Sequence, residues 1–379
     1  MSFFRNRTVN LLNLHYGVHA VALSGGAAFF SVYLLKAGLS AQAVLVSLAC
    51  ILLGRFALRP MVVPLGVRFG LKALVVAGTL MSAMQYALLA RVHGIGPALY
   101  LLCAVSSIGD TIYWTGYHAY FAALGDREHR GAQTSMREAI AELVSIVAPV
   151  ATAFGLTLIG AAPTFLLTTC VVALSALPLL FTSDVAVEKD VPGAFKASLS
   201  GAALFAADGW NGAGFYFVWQ LVLFFTLGQS FVNFGGALAV AALVGALGGL
   251  VLGRHIDAGH GARAAWIAAG AMFAAIVLRF AAAGHPALAV TANALGALSV
   301  CLYMPTLMTA VYNQAKRSPS ILRFHVAAEG GWDLGGSSAL LLAALIVHLG
   351  LPLSYGLLLS LAGMTAAFLQ LRRYFLRVS

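Results

Sequence analysis

The sequence has little charge. Only 9% of its 379 residues are Asp, Glu, Lys or Arg, against roughly a quarter in a soluble globular domain. A soluble fold needs a polar skin, so this scarcity excludes one. Hydrophobic residues make up 61% of the chain, which excludes intrinsic disorder. Long polar runs are missing too. The longest is Thr182 to Ser200, so no sizeable soluble domain fits. Cysteine is scarce: Cys50, Cys103, Cys170 and Cys301 stand singly in apolar stretches, without paired spacing. They read as small buried hydrophobes, not as disulfides or a metal cluster. A Gly-x-x-x-x-Gly-Lys-Ser/Thr phosphate loop is absent, so ATP is not expected to drive the chain directly. His-Glu-x-x-His and Gly-x-Ser-x-Gly are absent as well, and the chain does not read as an enzyme.

What is present suits a lipid bilayer. Twelve apolar segments are predicted, at 11–35, 40–63, 73–90, 97–123, 133–159, 162–181, 202–226, 231–252, 263–283, 286–313, 325–349 and 352–371. Gly and Pro punctuate them, as at Pro64-Leu65-Gly66, Gly94 to Pro97 and Gly350 to Pro352. The fold class expected is an all-α polytopic membrane protein of twelve transmembrane helices. The Arg-bearing start and an uncleaved apolar stretch read as a first span, not a signal peptide. With an even number of spans both termini share a side. Nineteen of the 22 Lys and Arg then lie on that side, and only Lys36, Arg91 and Arg279 on the other. The positive-inside rule makes that side cytoplasmic. The net charge of +10 needs no nucleic acid to explain it.

The halves repeat at an offset of about 190 residues. The polar stretch 182–200 reads as a linker between bundles 1–181 and 201–379. Gly-rich basic turns follow predicted spans 2 and 8: Gly66-Val67-Arg68-Phe69-Gly70-Leu71-Lys72, and Gly253 through Asp257 to Arg263. Predicted span 5 carries Glu138 and Glu142, four apart. Predicted span 11 carries Glu329 and Asp333 at the same spacing, 191 residues later.

On these features the chain resembles the major facilitator superfamily, over nearly its whole length. The resemblance implies two six-helix halves that rock about a midplane site. In the family the Gly-rich loops latch the halves together. The second copy keeps Gly253, Asp257 and a late Arg263, whereas the first keeps Arg68, Gly70 and Lys72 but has Val67 where an acid is expected. One latch is therefore expected to be weakened. The antiporter pattern of the fifth span survives only as Ala148-Pro149 with Ala151 and Ala153 nearby, and the span 4 arginine of many drug–proton antiporters is absent. The resemblance places spans 3, 6, 9 and 12 against lipid. Predicted spans 3, 6 and 12 hold no acid or histidine, and predicted span 9 holds only Arg279, near its outer end.

An ionisable residue inside hydrocarbon costs roughly 2.5–3.5 kcal/mol on insertion scales, so each one asks for a role. The candidates for proton coupling or substrate binding are Asp110, Glu142, Asp208, Asp333, Glu138, Glu329, His15, His19 and His118, with Trp114, Tyr117 and Trp210 as aromatic walls. Each also has a structural reading. Glu142, Glu329 and Asp333 would equally serve as partners of Arg55, Arg59 or Arg323 in a clamp between the halves. Asp110 would equally be a neutral acid hydrogen-bonded between helices, and the aromatics interface anchors. His15, His19 and Asp110, with Met304 and Met308, are also candidates for a transition-metal site, though Met at helical spacing is usually packing.

The expected function is secondary active transport by alternating access, driven by the proton gradient with no cofactor. The solute is small, organic and cationic or neutral, and export is favoured. A metal or metal-chelate transporter is the alternative, and a non-transporting sensor or assembly factor a third reading. A monomer in a bacterial inner membrane is expected.

Overall fold

A computed structural model describes residues 6–124, 130–256 and 261–378. Side chains are described for all of these except 130–139, 249–256, 261–262 and 378. Every regular element among the described residues is helical. The elements are α1 (Arg7–Val21), α2 (Ala28–Lys36), α3 (Ala41–Leu58), α4 (Val62–Leu89), α5 (Pro97–Leu124), α6 (Arg130–Leu158), α7 (Ala161–Ser175), α8 (Leu177–Leu180), α9 (Ala194–Gly212), α10 (Trp219–Thr226), α11 (Phe231–Ile256), α12 (Gly261–Ala282), α13 (Pro286–Arg317), α14 (Ile321–His348) and α15 (Tyr355–Val378). Eight helical stretches among the described residues are long and apolar enough to cross a bilayer. Helix is what hydrocarbon selects, because it satisfies every backbone group within the segment.

Two predicted boundaries move. Pro64-Leu65-Gly66 is not a turn but lies within α4. Pro64 stands in the first turn of that helix, where the missing N–H has no intrahelical acceptor to lose. The break comes at Gly70, with φ 80° and ψ 166°. Before it, α3 runs parallel to α5, pairing Ser47 with Cys103 and Arg59 with Thr115. After it, Gly78 faces Tyr113 and Gly109 faces Ser82, so the chain has reversed. The predicted linker also shortens. Residues 194–200, Lys196 among them, are the first turns of α9, which begins after Gly193 at φ 77°.

Two contacts recur at the same sequence separation. The Cys103 thiol donates to the Ser47 carbonyl at 3.8 Å, and the Cys301 thiol to the Gly245 carbonyl at 3.2 Å. Each contact spans 56 residues, the first joining α3 to α5 and the second α11 to α13. Single π-helical turns interrupt α1–α2 at Ala22–Ala27 and α9–α10 at Ala213–Val218. The four cysteines are free thiols, but Cys50 and Cys170 are exposed rather than buried. One apolar face of a helix in lipid has no preference for the interior over the lipid side, so hydropathy alone misplaces such residues.

Helices from the two ends of the chain meet along α3–α14 and α6–α11. At one end of the bundle the linker runs between them. The Leu71 N–H donates to the Val185 carbonyl at 3.0 Å, the Lys72 N–H to Asp184 at 2.9 Å, and Arg323 to the carbonyls of Glu188 and Lys189 at 3.0 and 2.5 Å. Tyr120 bonds Thr182 and Ser183 there. At the opposite end Phe29, Phe224, Phe231 and Phe234 pack together, and Ser31 donates to Gln220 at 3.0 Å.

Candidate functional site

The polar centre of the bundle is built from α3, α5 and α14. Arg55 and Arg59 stand one helical turn apart at the end of α3, and Glu329 and Asp333 one turn apart on α14. Residues four apart share a helix face, so each pair presents two like charges to the other. Arg59 Nε meets Asp333 Oδ2 at 2.5 Å, and Arg59 Nη2 meets Glu329 Oε2 at 3.2 Å. Arg55 Nε meets Asp333 Oδ1 at 2.9 Å and Arg55 Nη2 lies 3.7 Å from Glu329 Oε2. From α5, Thr115 accepts from Arg59 Nη1 at 2.7 Å. His118 Nε2 lies 3.7 Å from Glu329 Oε1. The His118 ring stacks on His325 with centroids 5.9 Å apart. The Arg59 side chain is 2% exposed and that of Asp333 0%.

Glu329 and Asp333 are thus ion-paired with Arg55 and Arg59, not with Arg323. The clamp also changes the count of basic residues. Arg55 and Arg59 are interior groups, as is Arg279, so the sidedness rests on 17 residues against 2. Asp110 on α5 sits half-buried beside this cluster, with Ser82 Oγ at 3.5 Å, close enough for its charge to act on Arg55 and Asp333. Two guanidinium groups therefore stand among three carboxyl groups and two imidazoles.

Asp208 lies apart from these charges on α9, 7% exposed. It accepts hydrogen bonds from Tyr303 Oη at 2.8 Å and from Trp332 Nε1 at 3.2 Å. Both donors are neutral. The α9–α14 contact that holds it is very close. A side chain on Gly209, Gly331 or Gly335 would strike the backbone carbonyl of Trp332, Ala202 or Ala206. Small residues of this kind let two membrane helices approach closely.

His15 and His19 are buried within the first half. The Ser175 carbonyl accepts from His15 Nδ1 at 2.7 Å, which leaves Nε2 to accept from Tyr113 Oη at 3.1 Å. His19 stacks on Tyr113 at 4.3 Å. Tyr117 packs on Tyr16 and Tyr113, and Trp114 bridges His19 and His118. Met304 and Met308 pack in a separate apolar cluster around Met272 and Tyr303. The structure does not bring these methionines to the histidine pair. Among the described residues no three of His, Cys, Asp and Glu gather closely enough to hold a metal ion.

The remaining candidates are scattered. Trp210 faces away from Asp208, its indole N–H donating to the Leu359 carbonyl of α15 at 3.0 Å. Successive helix positions point about 100° apart, so adjacency in sequence did not make them neighbours. Glu142 is exposed on α6, one turn before Ser145, which bonds Ser24. In the first Gly-rich loop Arg68 lies over Phe69 at 5.1 Å, and Gly70 and Lys72 meet Asp184. Arg263 is exposed near the start of α12. Glu138, Gly253 and Asp257 lie outside the described side chains. His325, Tyr303 and Trp332 are not among the sequence candidates, and Arg55 and Arg59 enter there only as clamp partners of the acids. The four-residue spacing of Arg55 and Arg59, which matches that of Glu329 and Asp333, is a signal in the sequence that could single out this pair.

The family model of the Major Facilitator Superfamily matches residues 16–321. Solved structures with the same fold include the human organic anion transporter MFSD10 (TETRAN), 15% identical with a TM-score of 0.69 over 98% of this chain and 99% of that one. An auto-inhibited POT family peptide transporter is 13% identical, with a TM-score of 0.67 over 98% and 97%. The E. coli fucose:proton symporter FucP is 17% identical, with a TM-score of 0.65 over 97% and 98%. No curated protein matches the sequence. The chain belongs to the major facilitator superfamily. It is a multi-pass membrane protein with a transporter fold, of a family whose members move small molecules and are not enzymes.

Proposed function

We propose that this protein is a proton-coupled antiporter that exports a small organic cation. The observation that carries the reading is Asp208, a buried carboxyl group held, among the described residues, by the neutral donors Tyr303 and Trp332. A buried carboxylate without a cation is costly, so the group favours either a proton or a positively charged ligand. One carboxyl group serving both in turn makes their occupancy exclusive, and an inward proton gradient then drives the cation out. The central cluster supports the same reading. Its carboxyl groups outnumber its arginines by one, counting Asp110. A buried cluster with that imbalance is neutral only when it holds a proton.

In this reading residues 1–181 rock against 201–379, with the Arg55–Arg59–Glu329–Asp333 cluster closing one side. The linker end is cytoplasmic, because the surface Lys and Arg gather there. The test is counterflow in proteoliposomes with an imposed proton gradient and a panel of organic ammonium compounds. Wild-type protein is expected to acidify the lumen or release protons in exchange for a cation. Asp208→Asn is expected to lose this exchange while remaining folded and inserted. Wild-type exchange by Asp208→Asn would refute the assignment.

A further inference from the structure

Trp332 stands between the two charged centres. It is the residue before Asp333, on the helix that also carries Glu329. Its indole N–H donates to Asp208 Oδ2 at 3.2 Å. Its ring lies under the Arg55 guanidinium, 5.7 Å from the centroid. Arg55 belongs to α3, in the other half of the chain, and binds Asp333 and Glu329. One side chain thus touches the isolated acid of α9 through its N–H and the ion cluster between the halves through its π-face. Its freedom is small. Its backbone carbonyl abuts Gly209, its ring edge lies 3.4 Å from where a Cβ on Gly212 would stand, and Phe217 packs edge-on at 6.2 Å.

We propose that Trp332 is the positioning residue that transmits the occupancy of Asp208 to the interlock between the halves. This rests on the antiport reading above. When Asp208 is ionised and empty, its carboxylate accepts the indole N–H and holds the ring beneath Arg55. A cation–π contact of this kind is sensitive to ring placement. When a proton or a cationic ligand takes the carboxylate, the acceptor weakens, the indole is released, and Arg55 loses its seat between the ring and Asp333. Tyr303 bonds the same carboxylate but has no contact with Arg55, so it holds the acid without reporting on it. The other titratable groups around Asp208 are Tyr216 of the π-helical turn and, beyond the indole, Arg55, Glu329 and Asp333.

The test is pulsed-EPR distance measurement on the full chain in nanodiscs, in a cysteine-free background. Spin labels go on Phe69 and Lys316, which are exposed at the linker end of the two halves. Wild-type protein is expected to redistribute between a short and a long distance as pH is lowered from 8 to 5. Trp332→Phe keeps a ring under Arg55 and removes the N–H, and at least a threefold loss in the amplitude of that redistribution is expected. Tyr303→Phe is expected to move the midpoint and keep the amplitude. Asp208→Asn should be unresponsive, and adding Trp332→Phe to it should change nothing further. If Trp332→Phe fails to fold, Arg55→Lys, which keeps the charge and loses the planar face, is expected to show the same loss of amplitude. Full amplitude in Trp332→Phe, or in Arg55→Lys where that stands in, overturns the role of Trp332 and leaves Asp208 as the coupling acid. A wild type without pH response overturns both.

Discussion

Asp333→Asn is expected to unlatch the two halves. The Asp333 side chain is 0% exposed and faces two guanidinium groups, at 2.5 Å and 2.9 Å. Removing its charge takes from Arg55 and Arg59 the shortest ion pair of each and leaves Glu329 as their remaining direct partner, where the Arg59 side chain is 2% exposed. Breaking a buried pair from one side costs about 3–5 kcal/mol. The arginines belong to α3 and the acids to α14, so this cost falls on the arrangement in which those helices touch. At 1.4 kcal/mol per factor of ten, the closed population falls roughly 140- to 3,700-fold relative to open forms. Leu322 reports on this contact. It is buried where α14 meets the first half, with Gly66 and Val187 beside it. A cysteine at position 322 in a cysteine-free background should react slowly with maleimide in wild-type protein. Asp333→Asn should accelerate labelling by up to the population factor, with helical circular dichroism retained. The double variant Arg59→Met, Asp333→Leu leaves Arg55 and Glu329 balanced. Replacing a buried pair with apolar groups is neutral or stabilising by about 1–4 kcal/mol, so slow labelling should return. Wild-type labelling of Asp333→Asn, or a double variant as reactive as the single, would refute the clamp.

Two further substitutions probe the scaffold that holds these groups. Gly335→Ala places a methyl group against the Ala206 carbonyl, a backbone atom that cannot rotate away. It should force α9 from α14 at a cost of about 1–3 kcal/mol, seen as a lower unfolding temperature in detergent. An unchanged temperature would mean that the helices are not in contact there. Gly70→Ala puts a side chain at φ 80° and ψ 166°, facing the Asp184 carboxylate. A cost of about 1–3 kcal/mol is expected from the backbone alone, so adding Asp184→Ala should recover little of it. Full recovery would place the cost in the steric clash instead.

The class of protein was legible in the residues. The charge scarcity required a bilayer, and the Gly-rich turns and paired acids carried the family. The helices of the structure follow the predicted apolar segments closely, because hydrocarbon permits little else. The site was legible only in part. Asp208 and Asp110 stand out in the sequence because an acid within an apolar run is conspicuous. Arg55 and Arg59 read both as cytoplasmic-side basic residues and as clamp partners, since a basic residue near a span end satisfies either reading. Trp210 was chosen for its nearness to Asp208 in sequence, while Trp332, 124 residues away, makes the contact.

The sequence by itself determined that this chain folds as helices in a membrane and that its scarce acids concentrate on a few of them. Those properties follow from composition and from the period of a helix, which are local. Only the tertiary structure decided which acid is clamped and which is held by neutral donors. Asp333 and Asp208 are alike as acids within apolar runs. One meets two arginines from α3, and the other meets a tyrosine and a tryptophan. That difference is set by how α9 and α14 pack through their glycines and where α3 crosses α14, and contacts between distant segments have no signature in the local order of residues.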